Sequence, residues 1–279
     1  MSDALSGVLL DSIQLAGRAV HRIGLGTNRV TNTPAIRSFL HRAMELRIDF
    51  FDTADVYTSG ESEATLGAVL PRDPPAPLVA TKGGLIRTAQ GYEADGRPAH
   101  LEAAVEGSLR RLGSEQLELY FLHRVDPRVT LEESLSALKE LQLAGRIRHI
   151  GISNVSLAEL ERARRVVRIV CVQNRYNLTE REHEDVLHYC EDHEIVFIPY
   201  MPFRRGKVEP VGVLSEIADH HGVSPYQVAL AWLLRRSPVM LPIPGTLSEE
   251  HLTQNLGAAT LKLDTEERRT LDECAGTRA

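Results

Sequence analysis

Tyr57 stands among three residues that together could make a phenol give up its proton: Asp52, Lys82 and His123. The run Asp49-Phe50-Phe51-Asp52-Thr53-Ala54-Asp55-Val56-Tyr57 is followed by Val79-Ala80-Thr81-Lys82 and Leu119-Tyr120-Phe121-Leu122-His123. Each begins apolar and β-rich and ends in a titratable residue. A free phenol has a pKa of about 10, too weak an acid near neutrality unless a cation lowers it. Lys82 is the expected cation, Asp52 its counter-charge, and His123 the group that orients a substrate oxygen. Any one of these alone would pass for a structural ion pair or a core histidine. Four of them at successive strand ends read as a site.

Positioning them requires a fold that delivers strand ends to one place. From residue 23 onward, apolar β-branched runs alternate with amphipathic segments. Strands are expected near 23–27, 49–53, 78–82, 117–123, 147–152, 170–174, 195–200 and 239–243. Helices are expected near 34–47, 61–70, 99–112, 131–145, 156–166, 180–193, 211–221, 225–236 and 249–256. Such alternation implies parallel strands joined by crossover helices. Eight repeats favour closure into a (β/α)8 TIM barrel, read as one domain over residues 1–279. An N-terminal β-hairpin near 8–20 would cap the lower end, and a short C-terminal helix near 265–275 follows the eighth unit. Thr33-Pro34 and Ser224-Pro225 read as helix starts, and Gly113, Gly145 and Gly222 as helix stops. In a barrel of this kind the active site lies at the carboxyl ends of the strands, where Asp52, Lys82 and His123 fall.

Composition narrows the function. With 43% hydrophobic and 25% charged residues, the chain has the make-up of an ordinary globular protein. A net charge of −6, without a basic stripe interleaved with aromatics, argues against nucleic acid. Arg162, Arg164, Arg165 and Arg168 cluster on a helical stretch and read as a solvated face. Cys171, Cys190 and Cys274 are odd in number and lack metal-like spacing, which suits a reduced, cytoplasmic compartment. No signal-like start and no apolar run of 18 residues appears, so no membrane is expected. The partner is then a small molecule, and the protein a monomer or weak homo-oligomer.

The motifs also resemble those of a known family. Asp52-Thr53-Ala54-Asp55-Val56-Tyr57 with Gly60-Glu61-Ser62-Glu63 and Leu66-Gly67 is similar to the signature of the aldo-keto reductases. The likeness continues in Gly24-Leu25-Gly26-Thr27, Thr81-Lys82, Gly151-Ile152-Ser153-Asn154, Val172-Gln173-Asn174, and Ile243-Pro244-Gly245 through Gln254-Asn255. The resemblance implies an (α/β)8 barrel, a nicotinamide cofactor held without a Rossmann fold, and reduction of an aldehyde or ketone to an alcohol. It makes Tyr57 the general acid, Lys82 and Asp52 its tuning pair, and His123 a binder of the carbonyl. It places Gly26, Thr27, Ser153, Asn154 and Gln173 at the cofactor, with Tyr200 stacked on the nicotinamide ring. Met201, Pro202, Arg204 and Arg205 fall where the family covers a pyrophosphate. Pro244, Gly245, Thr246, Ser248, His251, Gln254 and Asn255 lead into and form a helix start suited to phosphate and adenine. No metal is implied.

Two departures bear on the cofactor. Many relatives carry Lys where this chain has Gly245 and Arg where it has His251, both serving the 2′-phosphate of NADP. Thr246, Ser248 and His251 can still hold that phosphate with less fixed charge, so NADP(H) is the cofactor expected and NAD(H) the alternative. The second half is most similar to short bacterial members of the pyridoxine 4-dehydrogenase (pyridoxal reductase) type. A short tail after Asn255 suggests an open pocket built by loops at 28–33, 56–60, 83–98 and 124–130. Leu85, Ile86, Tyr92 and Val125 are its expected lining, and the glycines at 83, 84, 91 and 96 suggest a mobile loop. Pyridoxal, sugars or natural-product carbonyls are candidate substrates. A nicotinamide-binding regulatory subunit with little turnover is the competing reading. A metal-dependent hydrolase fits poorly, because adjacent His220 and His221 on a helix should point about 100° apart.

Overall fold

The computed structural model describes residues 12–71, 73, 75–203 and 211–274. It opens on an antiparallel hairpin, β1 (Ser12–Leu15) with β2 (Arg18–His21). Residues 8–11 of the expected hairpin lie outside the described residues. Strand and helix then alternate: β3 (Leu25–Gly26), α1 (Pro34–Glu45), β4 (Phe50–Asp52), α2 (Glu61–Val69) and β5 (Leu78–Gly83). A second hairpin, β6 (Leu85–Thr88) with β7 (Gly91–Ala94), precedes α3 (Pro98–Leu112). The series continues through β8 (Leu117–Leu122), α4 (Leu131–Leu143), β9 (Ile147–Ser153), α5 (Leu157–Val166), β10 (Ile169–Arg175) and α6 (Glu184–Asp192). It ends with β11 (Val196–Tyr200), α7 (Val211–His221), α8 (Pro225–Arg236), α9 (Glu249–Gly257) and α10 (Thr265–Glu273).

Seven parallel strands pair in chain order, β3-β4-β5-β8-β9-β10-β11. The eighth expected strand, 239–243, is reduced to one isolated bridge between Met240 and Phe197. Pro238, Pro242 and Pro244 are the reason, since proline has no N–H to give a ladder. The segment closes the barrel nonetheless. Leu241 N–H donates to Phe197 O at 2.9 Å, Gly24 N–H to Pro242 O at 3.0 Å and Gly26 N–H to Pro244 O at 3.4 Å.

Strand parity sorts the side chains into two cores. Phe50, Leu78, Ala80, Leu119, Phe121, Cys171, Val196, Ile198 and Leu241 fill the barrel, and Leu15 and Val20 of the first hairpin pack into the same cluster. That hairpin is anchored at the strand starts by Arg18 on Ala76 O and by the His21 N–H on Asp49 Oδ1 at 3.0 Å. Phe51, Tyr120, Leu122, Ile150, Val172 and Phe197 face the helices instead. Counting forward by two on the inner face arrives at Asp52, Lys82 and His123.

Helix starts follow the sequence. Thr33 Oγ1 accepts from Ile36 N–H at 3.3 Å, and Ser224 with Gln227 forms a capping box. Two expectations change. Residues 85–94 form an ordered hairpin rather than a loose glycine loop, with Gly91 in its turn at φ 131°. His220 and His221 do converge: Nδ1 of one and Nε2 of the other reach Glu267 Oε1 at 3.1 and 2.8 Å. They meet because α7 ends at His221 and α10 begins opposite it, so both rings can turn to one carboxylate.

Candidate active site

The floor of the barrel mouth is a buried charge pair. Lys82 Nζ donates to Asp52 Oδ2 at 2.8 Å and to Thr53 O at 2.6 Å, and both charged side chains are essentially sealed from solvent. Asp52 Oδ1 accepts from Gln173 Nε2 at 2.7 Å, so each carboxylate oxygen has a partner. The Lys82 ammonium lies 5.0 Å from the centre of the Tyr57 ring, and the Tyr57 and His123 rings meet edge to face at 6.0 Å.

A strained turn presents Tyr57. Residues Tyr57–Gly60 form one turn of 3-10 helix, with Thr58, Ser59 and Gly60 all at positive φ (46°, 57° and 88°). Two non-glycine residues in this region cost on the order of 1–3 kcal/mol each, so the surroundings must enforce it. Ser62 Oγ sits between Thr27 Oγ1 (2.9 Å) and Thr53 Oγ1 (2.8 Å), while Thr58 Oγ1 donates to Val30 O at 2.9 Å. Thr27 Oγ1 also donates to Asp52 O at 2.8 Å, so this buried hydroxyl is committed to the scaffold.

The electrostatics depart from expectation at one point. Burial pushes the Tyr57 phenol above its ordinary value, and the pull of Lys82 in the other direction does not overcome it. Tyr57 therefore keeps its proton at neutral pH. Burial draws the Lys82 ammonium down, but Asp52 and Tyr57 outweigh it and the net shift is upward, so Lys82 stays charged. Burial, then the charges of Lys82 and Arg124, hold His123 well below its ordinary value, so its imidazole is neutral. Asp55 lies two residues before Tyr57 and donates its N–H to Lys82 O at 3.1 Å. Burial and Glu63 raise its carboxyl to about 7, and its Oδ1 has no hydrogen-bond partner.

Above this floor is a cavity of about 590 Å³. Of the predicted residues, Gly26, Thr27, Asp52, Tyr57, His123, Ser153, Asn154, Gln173, Tyr200, Met201, Pro202 and Gly245 line it. Asn154 is held at φ 59°, its Nδ2 donating to His123 O (2.9 Å) and its Oδ1 accepting from Tyr200 OH (2.6 Å). The helix after it is capped by Ser156 with Glu159, leaving Ser153 and Asn154 to the cavity. Pro244, Thr246, Ser248, His251, Gln254 and Asn255 lie outside the lining, along the eighth segment and α9. Ser248 caps α9 by accepting from His251 N–H at 3.3 Å, and Gln254 donates to Glu250 Oε1 at 3.3 Å. Arg204 and Arg205 fall outside the described residues.

Loops 28–33, 56–60, 83–98 and 124–130 each contribute to the cavity, through Asn28 and Arg29, Val56 and Tyr57, Leu85 and Tyr92, and His123's neighbour Arg124. Ile86 and Val125 do not reach it, and Val125 packs on the helix-side core. Arg29, Arg124, Arg175 and Phe203 also line the cavity, although no sequence motif marks them for it. For Arg124 a signal was present: it directly follows His123.

Residues 22–276 match the model of the aldo/keto reductase family. The uncharacterized oxidoreductase C215.11c of Schizosaccharomyces pombe is 38% identical over 284 residues, covering 98% of this chain and 92% of that protein. Pyridoxine 4-dehydrogenase of Escherichia coli is 32% identical over 280 residues, covering 94% and 97%. An aldo-keto reductase from Klebsiella pneumoniae, solved in complex with NADPH, superposes with a TM-score of 0.83 at 27% identity, covering 97% of this chain and 98% of that one. With the match spanning nearly the whole chain, and the barrel and its inward strand ends in place, the protein belongs to the aldo/keto reductase family.

Proposed function

We propose that this chain, acting as a single domain, reduces an aldehyde or ketone to an alcohol with NADP(H), Tyr57 supplying the proton. One observation carries the reading: a sealed Lys82–Asp52 pair lies directly beneath a phenol that lines an open cavity. The residues fit a nicotinamide cofactor. Ser153 and Gln173 are buried at neighbouring strand ends and offer the donors and acceptors a carboxamide needs, and Tyr200 presents a ring beside them. The NADPH complex of the Klebsiella relative supports the phosphorylated form. When bound, that cofactor supplies a hydride to the carbonyl carbon.

The chain's own residues handle the oxygen. As charge grows there, Tyr57 gives its proton, and the Lys82 ammonium stabilises the phenolate left behind. Asp52 fixes Lys82, and Gln173 fixes Asp52. His123 Nδ1 is buried without a partner. A bare lone pair is easier to bury than a bare N–H, so the proton sits on Nε2 and serves as a second donor to the carbonyl oxygen.

NADPH consumption with 4-nitrobenzaldehyde and with pyridoxal tests the reading; pyridoxal is included because pyridoxine 4-dehydrogenase is a relative. Tyr57→Phe should lower turnover by at least about a hundredfold, the scale of lost general-acid catalysis, while NADPH affinity changes by less than about threefold. Affinity falling in parallel with activity would make Tyr57 a structural residue. NADPH binding without turnover of either aldehyde by the wild type would favour a regulatory nicotinamide-binding role.

A further inference from the structure

We infer that Arg124 forms an anion subsite at the cavity mouth, so that the preferred substrates are carbonyl compounds bearing a carboxylate or phosphate. The inference rests on the reductase reading above and adds a substrate class to it.

Arg124 directly follows His123 and lines the same cavity as Tyr57. Its charge is felt at the imidazole, where it helps disfavour protonation. Among the described residues it makes no hydrogen bond and no ion pair, and the acids of its own loop and of the 95–96 segment bonded to that loop are already engaged. Asp126 accepts from Arg128 Nε at 3.0 Å and from the Gly96 N–H at 3.0 Å, and Asp95 accepts from Arg97 Nη2 at 2.6 Å. The one acid in the cavity lining, Asp52, is held by Lys82 and Gln173.

The other two lining arginines are occupied. Arg29 donates to Gly245 O at 2.9 Å, and Arg175 reaches Glu180 Oε1 and Met201 Sδ. Arg124 is therefore the uncommitted guanidinium of this lining among the described residues. An unneutralised cation over a concave site raises the local concentration of anions, even in a protein of net charge −6. Guanidinium offers the paired donors that carboxylate and phosphate accept.

Its backbone is fixed on both sides. His123 N–H donates to Gly83 O at 2.9 Å, His123 O accepts from Asn154 Nδ2 at 2.9 Å, and Asp126 is pinned two residues on. The exposed side chain thus springs from a backbone point held in place next to His123. Leu85 and Tyr92, from the β6–β7 hairpin, give the substrate body an apolar wall on the same cavity.

The test compares 4-carboxybenzaldehyde with its neutral amide, 4-formylbenzamide, which match in shape, differ in charge and lie closer in carbonyl reactivity than a nitro analogue would. Pyridoxal 5′-phosphate against pyridoxal forms the phosphate arm. In the wild type, kcat/KM should favour the anionic member of a pair, and Arg124→Leu should reduce that preference by about tenfold or more, mainly through KM. Arg124→Lys should restore part of it. The two arms decide between carboxylate and phosphate. Equal losses for charged and neutral aldehydes, or a preference that survives in Arg124→Leu, would overturn the subsite. A rise confined to the KM for NADPH would place Arg124 on the cofactor and overturn it as well. Absence of turnover with every aldehyde would defeat the reductase reading alone. The subsite would then be decided by calorimetric titration of 4-carboxybenzaldehyde into wild type and Arg124→Leu with NADP+ present, where equal affinities overturn it.

Discussion

Asp52 accepts from Lys82 on one oxygen and from Gln173 on the other, so the charge beneath Tyr57 is fixed in position as well as in sign. Asp55 is the contrasting carboxylate: half-buried, beside Glu63, with one sealed oxygen unpartnered. Its folded pKa of about 7 stands above the ordinary 3.8. The folded state therefore holds a proton that the unfolded chain releases, and the stability this provides is complete below the unfolded value and lost as pH rises through about 7. Asp55→Asn keeps the shape and removes the charge. Relative to wild type it should gain on the order of 1–3 kcal/mol between pH 5 and pH 8.5. Urea denaturation at the two pH values checks this, and a constant difference between the proteins would show that Asp55 does not titrate as described. Lys82 acts on Tyr57 in the expected direction, but burial outweighs it. It moderates a rise caused by burial and does not produce a net fall, a balance set by surroundings that composition cannot reveal.

At the scale of elements, alternation along each strand made most of the strand-end lining of the cavity legible. Gln173 follows Cys171 by two residues and Tyr200 follows Ile198 by two, so barrel-filling residues point to the site residues beyond them. What stayed hidden depends on pairing between distant segments. Proline-rich 238–244 looks like a strand by hydrophobicity and becomes a seam held by few hydrogen bonds, and the glycines around 83–96 conceal a hairpin. Which loop side chains reach the cavity was legible for Leu85 and Tyr92 but not for Arg29, Arg124 or Arg175, since loop geometry decides it. The N-terminus of α9 carries its own prediction. Glu249 in its first turn is drawn to Arg42 Nε at 2.7 Å, and the exposed His251 is the basic side chain of that turn. His251→Ala should weaken NADPH by about fivefold, the value of roughly one hydrogen bond, and NADH by less than about twofold. Fluorescence titration of both cofactors measures the ratio; equal losses would remove His251 from the 2′-phosphate.

Across the whole molecule, the first hairpin and the candidate site lie at opposite ends of the barrel. Leu15, 1% exposed, packs from the first hairpin against the barrel interior, while the cavity opens beyond the other strand ends. Leu15→Ala should cost about 2–4 kcal/mol and leave kcat/KM within about twofold. Thermal denaturation beside a reductase assay checks both, and a parallel loss of activity in folded protein would couple the two ends. Among the described residues no helix is long and apolar enough to cross a membrane. Cys171 lies inside the barrel, while Cys190 and Cys274 lie in the layer between strands and helices. No disulfide joins them, and burial pushes all three thiols up, Cys190 to about 12. The molecule thus carries its own depth gauge. A thiol reagent meets silence while the fold is closed, then reads out, one sulfur at a time, the order in which its layers come apart.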